Sequence, residues 1–125
     1  MNLQNIVFLK GLTDNIALEY SKADFFVMSS RYEGFGLVNL ESMYRGLPNV
    51  SLTNAGVRSV IVNGENGYLI EEHTPQALAD GIVRQIESLD RFEEMSVSAK
   101  KTAEKFNKDY IMLKWVSLFC ELRKV

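Results

Sequence analysis

The sequence predicts an α/β fold, a Rossmann-like parallel sheet of about four strands flanked by helices. Three observations predict it. Short apolar runs alternate with segments of helical period; clusters of glycine, asparagine and proline mark the changes from one to the other; and 125 residues, 46% hydrophobic and 24% charged, suffice for one small core. The expectation is a single domain over residues 1–125.

The elements follow in order. Ile6 to Leu9 reads as a buried strand closed by Gly11. Thr13 is the expected cap of a helix whose Ile16, Ala17 and Tyr20 share a face, and the chain turns at Ala23 and Asp24 into a strand from Phe25 to Met28. A polar, glycine-rich turn, Ser29 to Gly36, leads to a helix from about Leu37 to Arg45. Gly46, Leu47 and Pro48 stop that helix, glycine suiting a left-handed cap and proline the exit. Val50 to Thr53 forms a weaker strand, Asn54, Ala55 and Gly56 its loop, and Val57 to Val62 a short helical turn. Asn63 to Gly67 is a turn cluster before a fourth strand, Tyr68 to Ile70. Three helices finish the chain. The first is capped by Thr74 with Pro75 as its first residue and carries Leu78, Ile82, Ile86 and Leu89 on one stripe. The second starts at Asp90 with Glu93 three residues on, resembling a capping box, and aligns Phe92, Met95, Ala99, Ala103 and Phe106. The third follows Asn107. These closing helices occupy about 90–125.

Composition excludes several function classes. Fourteen basic residues against sixteen acidic ones give a net charge of −2, so there is no basic footprint for nucleic acid. A single cysteine, Cys120, excludes an internal disulfide framework and points to a reducing, cytoplasmic compartment. The single histidine, His73, excludes a multi-histidine metal cage. No run reaches the ~18 apolar residues of a membrane span, and Ile6 to Leu9 is too short for a signal peptide's apolar region.

In open parallel sheets ligands bind outside the carboxyl ends of strands, which directs attention to Ser29–Gly36 and Thr53–Gly56. The first loop packs a strand exit, Gly34 and Gly36, and a helix start into thirteen residues up to Glu41. The glycines let backbone approach a ligand closely, and the free amides of the following helix start suit a phosphate. Glu41 shares an apolar stripe with Leu37, Leu40 and Tyr44, where an unpaired carboxylate is costly; sugar hydroxyls would serve as its donors. A plain surface bridge from Glu41 to Arg45 one turn later is the bland alternative. The spacing of Glu33 and Glu41 carries little by itself, because eleven glutamates in 125 residues give about one pair eight apart by chance.

Ser30, Glu33-Gly34-Phe35-Gly36-Leu37 and Glu41 together resemble a motif of the retaining glycosyltransferases of family 4, which have the GT-B fold. Phe8-Leu9-Lys10-Gly11, Ala23-Asp24, Glu41-Ser42-Met43, Gly46-Leu47-Pro48 and Asn66-Gly67-Tyr68-Leu69 agree in register, so the likeness runs over about residues 6 to 88. It implies a partial C-terminal, donor-binding domain of a GT-B enzyme, with the N-terminal acceptor domain absent. It also implies that Glu33 is catalytic and touches hydroxyls of the transferred sugar, that Gly34, Phe35, Gly36, Leu37 and Val38 face sugar and diphosphate, that Glu41 binds ribose, and that Gly11 and Leu12 lie near the base. The implied ligand is a nucleoside diphosphate sugar, with no metal or other cofactor required. The family's diphosphate-binding arginine and lysine have no counterpart here, and Ala55-Gly56-Val57-Arg58-Ser59 replaces a Gly-Gly stretch. Asn49 stands in place of an apolar strand residue. The rival reading is a non-catalytic module that kept the nucleotide-sugar pocket, or merely the scaffold, and acts through protein contact.

The remaining residues read more plainly. His73 is expected in a solvated loop, Cys120 as a small buried apolar side chain, and Tyr32 either lining the sugar pocket or packing. Lys100, Lys101, Lys105 and Lys108 read as a wet helix face, with peripheral contact to the inner face of an anionic membrane as the sharper alternative. The last helix, from Tyr110 to Leu122, holds more apolar surface than one stripe needs. It is either buried in its own domain or partly exposed, in which case contact with the missing N-terminal domain or self-association would cover it.

Overall fold

The computed structural model describes residues 3–123. Three parallel strands, β1 (Phe26–Met28), β2 (Asn49–Leu52) and β3 (Gly67–Ile70), form a sheet in the order β1-β2-β3. The helices are α1 (Ile16–Tyr20), α2 (Leu37–Tyr44), α3 (Pro75–Glu87), α4 (Phe92–Glu104) and α5 (Lys108–Leu122), with 3-10 turns at Val57–Ser59 and Leu89–Arg91. Strands and helices alternate through β3, and every strand pair is parallel, as the alternation of patterns predicts.

The expected strand at Ile6 to Leu9 does not form. Those residues carry no ladder and their side chains are exposed, Leu9 at 97%. No other described strand lies beside that segment, and a strand without a neighbour has nothing to pair with. Two cap expectations shift as well. Asn15, not Thr13, caps α1 by accepting from the Leu18 N–H; the Thr13 hydroxyl accepts from Asn15 N–H instead. Asp90 sits inside the 3-10 turn, and α4 starts at Phe92 without a side-chain cap. Thr74 caps α3 as read, and α5 follows Asn107 as expected, with Asn107 as its cap.

The period-2 alternation of β2 sorts the core. Val50 and Leu52 face α3, where they pack with Tyr68, Ile70 and Met95. Asn49 and Ser51 face the other side, where Asn49 bonds to α2. On that side Met43, Val57, Val60, Ile61, Ala99 and Ala103 form a second cluster. The α2 helix therefore buries Asn39, Ser42 and Met43; its Leu37 and Tyr44 are exposed and Leu40 half-buried, so the apolar stripe that holds Glu41 looks outward. The predicted stripe of α3 holds in part: Leu78 and Ile82 pack against the core, whereas Ile86 and Leu89 are exposed and Gly81 and Gln85 are buried in their place. Helix α5 buries no residue against the rest of the described chain, against the reading in which it packs within these residues as a core helix. Cys120 is exposed with it, against the expectation of burial.

Candidate functional site

The turn between β1 and α2 stands at the carboxyl end of the sheet. Gly36 is the N-cap of α2 in the left-handed conformation, with φ 71°, and no side chain caps the helix. The Asn39 N–H closes a tight first turn onto the Gly36 carbonyl at 2.9 Å, which leaves the Leu37 and Val38 amides at the helix start without an intrahelical acceptor or a side-chain cap. A β-carbon on Gly36 would lie 2.8 Å from the side-chain Nδ2 of Asn39, so both φ and packing require glycine there. The turn is also wedged from the side. A β-carbon on Gly56 would meet the Phe35 backbone at 2.5 Å, and the Phe35 ring leans on Phe106 with centroids 5.5 Å apart.

Glu33 is half-buried and lines a hollow of about 520 Å³ with Arg31, Tyr32, Gly34, Asn54 and Ala55. Asn54 ties this hollow together: its Nδ2 lies 3.5 Å from the Ser30 carbonyl and 3.4 Å from that of Leu52, while its Oδ1 accepts from Val57 N–H. Glu41 is exposed and lines a different groove, about 360 Å³ in volume and mostly apolar, with Ile16, Tyr20, Leu37, Leu40 and Tyr44. Burial, and secondarily the charge of Glu41, raise the Tyr20 phenol above its ordinary 10.0. Arg45 lines the same groove, yet no ion pair joins it to Glu41 among the described residues. The surface-bridge alternative is not what the structure forms.

The expected site residues thus divide into neighbouring hollows. Glu33 and Gly34 lie on one side of the turn, Leu37 and Glu41 on the other. Gly11 and Leu12 line a third hollow of about 610 Å³ that shares Ile16 with the Glu41 groove. Phe35 and Val38 are part-exposed, each at 38%. Tyr32 is 92% exposed at the rim of the Glu33 hollow. His73 is not a free loop histidine: it is half-buried and its Nε2 lies 2.8 Å from the Thr53 carbonyl and 3.3 Å from the Thr53 hydroxyl, joining the exits of β2 and β3. Sequence reasoning singled out the Thr53–Gly56 loop but not the roles of Asn54 and Gly56 within it, and did not anticipate Asn39; the polar Asn49 in β2 signalled that the α2 face is different. Lys100, Lys101, Lys105 and Lys108 are all exposed. Among the described residues no group of three or more His, Cys, Asp or Glu side chains is placed to hold a metal, and no helix is long and apolar enough to cross a membrane.

A parallel sheet with a glycine turn opening onto a helix start at its carboxyl end is a Rossmann-like arrangement. The model of the family "Glycosyl transferases group 1" matches residues 1–106, and the chain belongs to that family. It is 38% identical over 90% of its length to poly(glycerol-phosphate) alpha-glucosyltransferase of Bacillus subtilis (strain 168), covering 17% of that protein. It is 33% identical over 94% of its length to poly(ribitol-phosphate) alpha-N-acetylglucosaminyltransferase of Staphylococcus aureus (strain COL), covering 24% of it. Among solved structures, the pneumococcal O-GlcNAc transferase GtfA in complex with UDP and GlcNAc superposes with a TM-score of 0.79 at 29% identity, over 94% of this chain and 24% of that one. The fold is that of GT-B glycosyltransferases, and the chain spans a quarter or less of the length of these relatives.

Proposed function

We propose that this chain is the donor-binding part of a retaining, sugar-nucleotide-dependent glycosyltransferase of family 4. The observation that carries the reading is the uncapped start of α2 behind Gly36, flanked by a carboxylate on each side. Amides at a helix start, with their partial positive charge, complement a diphosphate. Glu41, exposed over an apolar groove, supplies a bidentate acceptor for vicinal ribose hydroxyls, while the groove and the adjoining Gly11–Leu12 hollow accept the base. Glu33, in its own hollow across the turn, accepts from hydroxyls of the sugar being transferred. The order base, ribose, diphosphate, sugar then runs from Leu12 past Glu41 and Gly36 to Glu33. Relatives named as transferases of glucose and N-acetylglucosamine support a hexosyl donor, and the UDP in the pneumococcal relative supports a nucleoside diphosphate.

Catalysis on this reading is electrostatic. The leaving diphosphate gains charge as the glycosidic bond breaks, and preorganised N–H donors of α2 stabilise that charge without reorganising. The acceptor would be held by a separate N-terminal domain, and the protein would work in the cytoplasm. Self-association or docking onto that domain would cover the apolar side of α5.

The test is kinetic, in an enzyme carrying this chain. A hydrogen bond to a charged group is worth about 1.5–3 kcal/mol, so Glu41→Gln is expected to raise the donor KM about 10-fold to 100-fold. Glu33→Ala is expected to lower kcat instead. Unchanged kinetics in both variants would overturn the reading. The 125 residues alone are expected to show weak or undetectable turnover of sugar nucleotides, and robust turnover would refute the division of labour.

A further inference from the structure

We propose that the buried Asn39–Asn49 pair is a positioning device that fixes the Gly36 turn to the middle strand of the sheet, and through it sets the affinity of the chain for a nucleoside diphosphate. The inference rests on the donor-site reading above. Both asparagines are fully buried, and their side-chain groups are all bonded. Asn49 Nδ2 donates to both the carbonyl and Oδ1 of Asn39, each at 3.1 Å, and Asn49 Oδ1 accepts from the Ser42 hydroxyl at 2.9 Å. Asn39 Nδ2 then reaches the Gly36 carbonyl at 3.3 Å and Met28 Sδ at 3.0 Å.

Burying two amides is costly unless each is paired, and hydrophobic packing does not need them. On the opposite face of the same strand Val50 and Leu52 pack with ordinary apolar partners. What the amides add is direction. The path runs from β2, through the third residue of α2, to the carbonyl of the N-cap, the position at which the chain turns from the Glu33 hollow toward the free amides. Asn49 is itself held firmly: its N–H donates to the Asn66 carbonyl at 3.0 Å, and Gly67 lies so close that a β-carbon there would come within 2.0 Å of the Asn49 carbonyl oxygen. The turn is thus referenced to a rigid strand, and a fully satisfied buried network fixes one geometry. Asn39 and Asn49 touch no ligand; they act through Gly36.

A merely structural pair would change affinity only as far as it changes stability, and this separates the two roles. Asn49→Val strands the Asn39 amide oxygen in the core. Asn39→Leu/Asn49→Val replaces both amides with an apolar contact and removes the bond to Gly36, which Asn49→Val alone retains. The experiment measures, for the 125-residue chain and these variants, the denaturation midpoint, the dissociation constant for UDP by calorimetry, and amide exchange over residues 34–38. The expected result is a lowered midpoint for Asn49→Val, recovery in the double variant, and in that recovered protein at least about 10-fold weaker UDP binding with about 10-fold faster exchange in the turn. UDP affinity that follows the midpoint through the series, with exchange in the turn unchanged in the double variant, would overturn the proposal. If the unsubstituted chain does not bind UDP, the donor-site reading is what fails, and exchange at residues 34–38 still decides whether the pair positions the turn. Should the double variant not fold, Asn39→Ala, which keeps the Asn49 bonds to the backbone and Ser42, is read in the same way.

Discussion

Replacing Gly56 with alanine sets two effects of opposite sign against each other. Gly56 has φ −70° and ψ −49°, a conformation alanine prefers, so the substitution would by itself stabilise the protein by about 0.4–1 kcal/mol through the unfolded chain. The new methyl, however, would lie 2.5 Å from the Phe35 carbonyl oxygen and 2.6 Å from its carbonyl carbon and Cα. Those atoms are backbone and cannot rotate away, so the turn must retreat by about 1 Å to regain ordinary van der Waals separation. Overpacking of this kind costs about 1–3 kcal/mol, which exceeds the entropic gain. The net expectation is a loss of about 1 kcal/mol, seen as a lower urea midpoint with unchanged slope. Because the retreating segment carries the Gly36 cap, UDP affinity is expected to fall about 10-fold or more, a misplacement of about 1 Å being enough for such losses. A Gly56→Ala protein stabilised by the full entropic increment, with unaltered UDP affinity, would refute the claim that this contact sets the turn.

Four further outcomes are expected. The Tyr20 phenol is raised above 10.0 by burial and then by Glu41; the folded state therefore holds its proton more tightly, and stability should decline as pH rises above about 10. Denaturation across pH 9–11 should show that decline reduced in Glu41→Gln and absent in Tyr20→Phe. Gln85 is fully buried and its Oε1 meets no donor, so Gln85→Met, of similar volume, should raise stability by about 1 kcal/mol in the same urea assay. Trp115 and Phe119 stack at 5.7 Å on the exposed side of α5; sedimentation should show concentration-dependent association that Trp115→Glu/Phe119→Glu abolishes. The Arg58–Glu71 pair is bidentate, at 3.1 and 2.6 Å, but both side chains are more than half exposed, so Glu71→Gln should cost less than about 1 kcal/mol and still less at high salt.

Much of the architecture was legible because it rests on local signals. Thr74-Pro75 announces a helix start through cap chemistry and Gly46-Leu47-Pro48 a stop, while β1 and β3 are apolar runs between turns and β2 alternates polar with apolar residues. What failed depended on partners outside the segment. Ile6 to Leu9 has strand composition, but a strand needs neighbours, and no described strand lies beside it. The stripe of α2 was misjudged because periodicity shows which residues share a face and not which face is buried: Leu37, Leu40 and Tyr44 look apolar, yet the helix sits on Asn49 and buries Asn39 and Ser42 instead. His73 reads as a loop residue from its polar neighbours, and only the convergence of two strand ends brings the Thr53 carbonyl to its ring. At the candidate site the glycines and carboxylates stood out in the sequence as a motif. The supports that hold the turn, Asn39, Asn54 and Gly56, carry no local signal, since their partners lie on other elements.

The central claim is that nucleoside diphosphate lies over the start of α2 with Glu41 beside it. Titration of the isotope-labelled chain with UDP, followed residue by residue by NMR, tests it most directly. Saturable shifts at the amides of Leu37, Val38 and Glu41, weakened in Glu41→Gln, are the predicted result. No saturable change, or saturable shifts confined to the α3 end of the sheet around His73 and Thr74, would contradict it.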